Sequence, residues 1–285
     1  MSGVLIVGNV TKDVYLRLDE RKNKFEVDGG GVAWLDLAFD GSSHNFFARH
    51  AVFGGAAISL EVLARMGVGV GLSGSEMGFA DGRLTSVGAV ETYRYVLCRG
   101  DEIVYFSPSQ RRAAQWVVPE GEVEWIYVDR SATVSPELAE GILGYLEEAE
   151  SAKLAFFVGK RANRVHAQKL KEQADLIFAE EEDEVGGLEK CVYIGSDFVQ
   201  SDEARVGWGL AGRQDMMTHL TTSSIIAASV LGAVALGKPM SEALLLARAN
   251  VENANLDGTM DLKRLEEVIV GEEYRIENSS RSGEH

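Results

Sequence analysis

The chain has 285 residues, 44 acidic and 28 basic side chains, and a formal charge of −16. Hydrophobic residues make up 46% and charged ones 25%, the composition of a folded globular protein rather than a disordered one. Such an acidic surplus repels nucleic-acid backbones and anionic membrane surfaces, so neither is expected as a main partner.

Two cysteines, Cys98 and Cys191, are too few for a disulfide framework or a zinc site of their own. The opening Met1-Ser2-Gly3-Val4-Leu5-Ile6-Val7 has no basic stretch before its apolar run, unlike a signal peptide. The longest apolar stretch, Ile225 to Leu236, is too short to span a bilayer. These features predict a soluble, cytoplasmic protein. His44, His50, His166 and His219 show no mutual spacing suited to a metal site.

In chain order, Val4-Leu5-Ile6-Val7 is an unalternated apolar run closed by Gly8-Asn9, which predicts a strand buried on both faces. Between Phe25 and Val52, period-2 runs around the turn cluster Asp40-Gly41-Ser42-Ser43 suggest antiparallel strands, as do Thr92–Cys98 and Ile103–Phe106 further on. Both segments are expected in one small β subdomain.

From Gly54 the period changes to that of a helix, with Ile58, Leu60, Val62, Leu63 and Met66 on one face and a stop at Gly67. Strands are expected at Val68–Leu72, Trp125–Val128, Leu154–Val158, Leu176–Phe178 and Cys191–Ile194. Helices are expected at Ser135–Ala149, with Ser135 as N-cap and Pro136 at N1, and at Arg164–Gln173. A last pair, Ser223–Leu236 and Met240–Asn253, is joined at Gly237-Lys238-Pro239. Strands alternating with helices predict an α/β fold with a doubly wound, mainly parallel sheet.

Three stretches together resemble the PfkB, or ribokinase-like, carbohydrate kinase family. Gly8-Asn9-Val10-Thr11-Lys12-Asp13 is similar to its opening strand and substrate-binding Asp; Phe53-Gly54-Gly55 leading to Leu63-Ala64-Arg65-Met66-Gly67 is similar to its double-glycine signature; and Ala227-Ala228-Ser229 through Pro239 to Leu244 is similar to its C-terminal helix pair. Order and spacing match along nearly the whole chain. The resemblance implies a single ribokinase-like domain over 1–285, with lid segments at about 14–50 and 86–110. It also implies ATP and magnesium as cofactors, a sugar or nucleoside as substrate, and a homodimer paired through the lid.

Carried onto this sequence, the resemblance gives Asn9, Asp13, Gly54 and Gly55 to the substrate. A carboxylate just past the first strand suits two sugar hydroxyls, although the residues alone favour a solvated turn Asp. Gly54-Gly55 lets backbone approach a ligand closely, or serves packing. By register with the following helix, Thr221, Thr222, Ser223 and Ser224 occupy the family's Gly-Ala-Gly-Asp loop. The first three would cap the helix and meet nucleotide phosphates. The catalytic base position is then Ser224, a neutral hydroxyl. In the acidic run Glu180–Glu184, Glu182 falls on the family's magnesium-organising Glu, whereas the residues alone suggest a solvated helix start. Two functions follow: a sugar or nucleoside kinase, or a kinase-fold protein that binds without turnover.

Overall fold

The computed structural model describes residues 3–18, 46–73, 92–99, 102–106, 114, 116–119, 121–149, 151–158, 164–180, 189–208 and 216–253. The expected strands around Trp34 and Phe39 lie outside them.

Gly3–Val7 forms strand β1, with every residue buried. Its alternate side chains enter two separate cores, which explains the absence of polar alternation in its sequence. Val4 and Ile6 join one core and Leu5 and Val7 the other. On its two flanks β1 pairs in parallel with β4 (Gly69–Leu72) and β7 (Trp125–Val128). The parallel series continues through β8 (Lys153–Val158), β9 (Leu176–Glu180) and β10 (Cys191–Ile194). Two short antiparallel strands, β11 (Phe198–Gln200) and β12 (Arg205–Gly207), complete the order β12-β11-β10-β9-β8-β7-β1-β4.

Helices cover both faces. Helix α1 (Ala56–Arg65), α4 (Met216–Ala235) and α5 (Met240–Asn253) pack on the face of Val4, Ile6, Tyr127 and Phe178. Helix α2 (Pro136–Glu148) lies with Leu5, Ile126 and Phe156 on the other, beside α3 (Arg164–Gln173). As the sequence predicts, Pro136 opens α2 and the Ser135 hydroxyl accepts from Leu138 N–H at 3.2 Å.

A second sheet has the order β3-β2-β5-β6, built from β2 (Val10–Leu18), β3 (Phe46–Gly55), β5 (Thr92–Arg99) and β6 (Glu102–Phe106). The expected second hairpin is present as β5 antiparallel to β6. Among the described residues, no helix is long and apolar enough to cross a membrane.

Helix α4 begins seven residues before the expected Ser223. Its Thr- and Ser-rich start has the composition of a cap because short hydroxyl side chains compete for backbone hydrogen bonds. In the fold Thr222, Ser223 and Ser224 are instead buried against the sheet. Tertiary packing overrides the local preference.

Candidate functional site

Chain order turns the sheet about β1: the path runs first to β4 on one side, then crosses to β7 and onward through β8, β9 and β10. The carboxyl ends of β1 and β7 therefore flank a topological switch point, the place where open α/β sheets leave a ligand crevice. Asn9 follows β1 there, and Asp129, Arg130 and Ser131 follow β7.

Close approach at this edge depends on two glycines. Gly55 has φ +63°, and a Cβ added to it would lie 2.3 Å from the Asn9 carbonyl oxygen. A Cβ on Gly8 would meet the Ser131 hydroxyl at 2.8 Å, Ala56 Cβ at 2.9 Å and Asp129 Cβ at 3.0 Å. The double-glycine junction sits between strand and helix as expected, with Gly54 and Gly55 closing β3 and Ala56 opening α1. The group brought close to Gly55 is the chain's own Asn9 carbonyl, which accepts from Ala56 N–H at 3.0 Å.

Asn9 ties the ends of β1 and β7 together. Its backbone N–H donates to Ser131 Oγ at 3.1 Å, and its Nδ2 donates to the Ser131 carbonyl at 3.0 Å. Asp129, 1% exposed, anchors the same corner: Oδ1 accepts from Ser131 N–H at 2.8 Å and from Ser131 Oγ at 2.6 Å. Its Oδ2 accepts from Ser59 Oγ of α1 at 2.6 Å. Tyr127, buried beneath, has its phenol pushed well above the usual value, by burial first and by the Asp129 charge second.

A second cluster lies two strands away. Arg130 Nε donates to Glu180 Oε1 at 2.7 Å, and Ser223 Oγ from α4 donates to the same oxygen at 3.2 Å. Glu180 closes β9 and is 8% exposed. It therefore belongs to a strand and not to the helix start suggested by the acidic run. The Arg130 guanidinium lies 5.9 Å from the Phe157 ring centroid.

The sequence-predicted residues divide accordingly. Asn9 and Gly55 meet at the switch point, with Gly54 beside them in β3. Asp13 lies within β2 of the small sheet, in register between Val52 of β3 and Arg94 of β5. It is neither immediately past β1 nor in a turn. Thr221 to Ser224 are the sixth to ninth residues of α4, not its cap. N–H groups lacking an intrahelical acceptor belong to a helix's first turn, here 216–219. Glu182 lies outside the described residues. Asp129, Arg130, Ser131 and Glu180 were not singled out by sequence reasoning. Their signal was a polar or charged residue placed directly at the end of a buried apolar strand.

Among the described residues, no three His, Cys, Asp or Glu side chains gather as a metal site. The cluster carboxylates are already engaged: Asp129 by Ser59 and Ser131, and Glu180 by Arg130 and Ser223.

No protein-family model matches the chain, and no curated protein matches it by sequence. Solved structures do. Arabidopsis thaliana ribokinase complexed with ribose and ATP superimposes with a TM-score of 0.59 at 12% identity, over 95% of this chain and 100% of that one. Methanocaldococcus jannaschii nucleoside kinase, an archaeal ribokinase-family member, gives 0.58 at 14% identity, over 94% and 99%. An E. coli protein assigned as ribokinase II, in complex with ATP and magnesium, gives 0.62 at 15% identity, over 94% and 99%. The chain is thus similar throughout its length to ribokinase and PfkB carbohydrate kinases, and its fold is ribokinase-like.

Proposed function

We propose that this chain is a ribokinase-like sugar or nucleoside kinase in which phosphoryl transfer from ATP is crippled while ligand binding persists. The observation that carries this is the near-complete coverage in both directions of kinases named for sugar and nucleoside substrates, combined with a polar cluster at the switch point. On this reading Asp13 orients the acceptor, and Asn9, Gly54 and Gly55 shape the wall beside it. The nucleotide brings magnesium with it, and Glu182 helps to hold the ion. Its phosphates approach α4 from the first turn, 216–219, because Thr221, Thr222 and Ser223 lie downstream of the unpaired N–H groups. A homodimer through the small sheet belongs to the same reading.

Phosphoryl transfer is mostly positioning and charge stabilisation, but the attacking hydroxyl still has to lose its proton. Ser224 at the base position has no useful basicity near neutral pH. Removal of a general base typically costs roughly 2–4 powers of ten in rate. That substitution favours a second reading, a binding protein without turnover. ADP production across a panel of sugars and nucleosides separates them. Slow turnover abolished by Asp13→Ala supports the kinase, and ligand-induced stabilisation without ADP supports the binder. Neither stabilisation nor ADP with any member of the panel would end both.

A further inference from the structure

We infer that Arg130 is an oxyanion-recognition residue, so that the cleft takes a ligand bearing a phosphate or comparable oxyanion. This deepens the proposed function and rests on its placement of the ligand at the switch point. A guanidinium carries five N–H donors in a planar fork. In Arg130 one of them, on Nε, is spent on Glu180 Oε1 at 2.7 Å. The two terminal nitrogens, with the remaining four N–H bonds, make no hydrogen bond among the described residues. The side chain, at the carboxyl edge of the sheet, is 25% exposed and so not sealed off from solvent.

The fork is held rather than loose. Glu180 is buried and fixed in turn by Ser223, and the Phe157 ring lies beneath the guanidinium. Holding the Nε edge on Glu180 leaves the Nη edge to meet another partner. That edge matches two oxygens of a phosphate or carboxylate, which is the recognition arginine performs and lysine does not. Among the described residues, the nearby acids do not compete for it. Glu180 already occupies the Nε side, and both oxygens of Asp129 face Ser59 and Ser131. On a chain of charge −16, a rigid cation beside the switch point is where an anion would find complementary donors.

The anion could be part of the acceptor or the terminal phosphate of the nucleotide, and the test distinguishes them. Protein labelled with 13C and 15N in arginine is titrated with inorganic phosphate, ribose against ribose 5-phosphate, and adenosine against ADP. The Arg130 side-chain signals are identified by their loss in Arg130→Lys. Inorganic phosphate is expected to shift them. Response to ribose 5-phosphate alone assigns the acceptor, and response to ADP alone assigns the nucleotide. Arg130→Lys should weaken binding of the responding anion at least tenfold, with the neutral partner of each pair unaffected. Arg130 signals that stay fixed through tens of millimolar of all three anions would overturn the inference. If ribose or adenosine still raised the melting temperature, the proposed function would survive that result; if nothing bound at all, both would fall.

Discussion

Arg130 and Glu180 stand 50 positions apart in the sequence and meet at 2.7 Å across the carboxyl ends of β7 and β9, with β8 between them. The pair is mostly removed from water, and Ser223 ties it to α4. Breaking one partner leaves the other charge half-buried and uncompensated, which costs far more than an exposed pair would. A double-mutant cycle with Arg130→Met and Glu180→Gln is expected to give a coupling of about 1–3 kcal/mol in denaturant unfolding. Additive effects would show that the contact contributes nothing to stability.

Asp129 should matter more to folding than a surface carboxylate. Asp129→Ala leaves three donors from Ser59 and Ser131 without their acceptor in a buried corner. Equilibrium unfolding should register a loss of roughly 2–4 kcal/mol. Ser59→Ala removes one donor and should cost roughly 1 kcal/mol. Equal losses for the two variants would contradict the network.

Gly55→Ala tests the junction where β3 becomes α1. Its positive φ and the 2.3 Å approach to the Asn9 carbonyl leave no room for a methyl group. A destabilisation of about 2–4 kcal/mol, or loss of soluble protein, is expected. Gly67→Ala shares the positive φ but has no atom within 4 Å, so it should cost about 1 kcal/mol. The difference between them measures the close approach itself.

Cys191 is buried, and burial raises its thiol to about 11. The sign follows from comparing the two states. Below about pH 9 the thiol is protonated both folded and unfolded. Between 9 and 11 only the unfolded chain releases the proton, so stability present below that window is lost as pH rises through it. Cys191→Ser should flatten the alkaline fall by about 1–2 kcal/mol. Native protein at pH 8 should also leave Cys191 unmodified by a thiol reagent that labels it readily after unfolding.

Sequence alone reached most of the scaffold because its signals are local. Val4–Val7 needs only its own apolar run, Ser135-Pro136 carries its own cap, and Gly67 ends α1 at the expected place, with φ +80°. The site was less legible. Thr221 to Ser224 read as a cap, yet they lie inside α4, where burial of Thr222, Ser223 and Ser224, with Ser223 on Glu180, outweighs their weak helix preference. Nothing near Arg130 announces a partner 50 residues away. Asp13 was expected past the end of β1, where strand pairing with β3 and β5 takes it into the small sheet.

Ser224→Asp restores a carboxylate at the position argued to have lost one. ADP production is expected to rise at least 100-fold over the parent. Because Ser224 is buried, the same change should lower stability by about 1–3 kcal/mol. A folded Ser224→Asp protein with no gain would show that the base belongs elsewhere.

The most direct measurement is the melting temperature of the purified chain as ATP with magnesium is added. A ligand held only by the folded state stabilises it by mass action, by about 2.7 kcal/mol at 100 times its dissociation constant. A saturable rise in Tm with nucleotide is the predicted result. An unchanged Tm at millimolar ATP and magnesium would contradict a nucleotide-binding cleft at the carboxyl edge of this sheet.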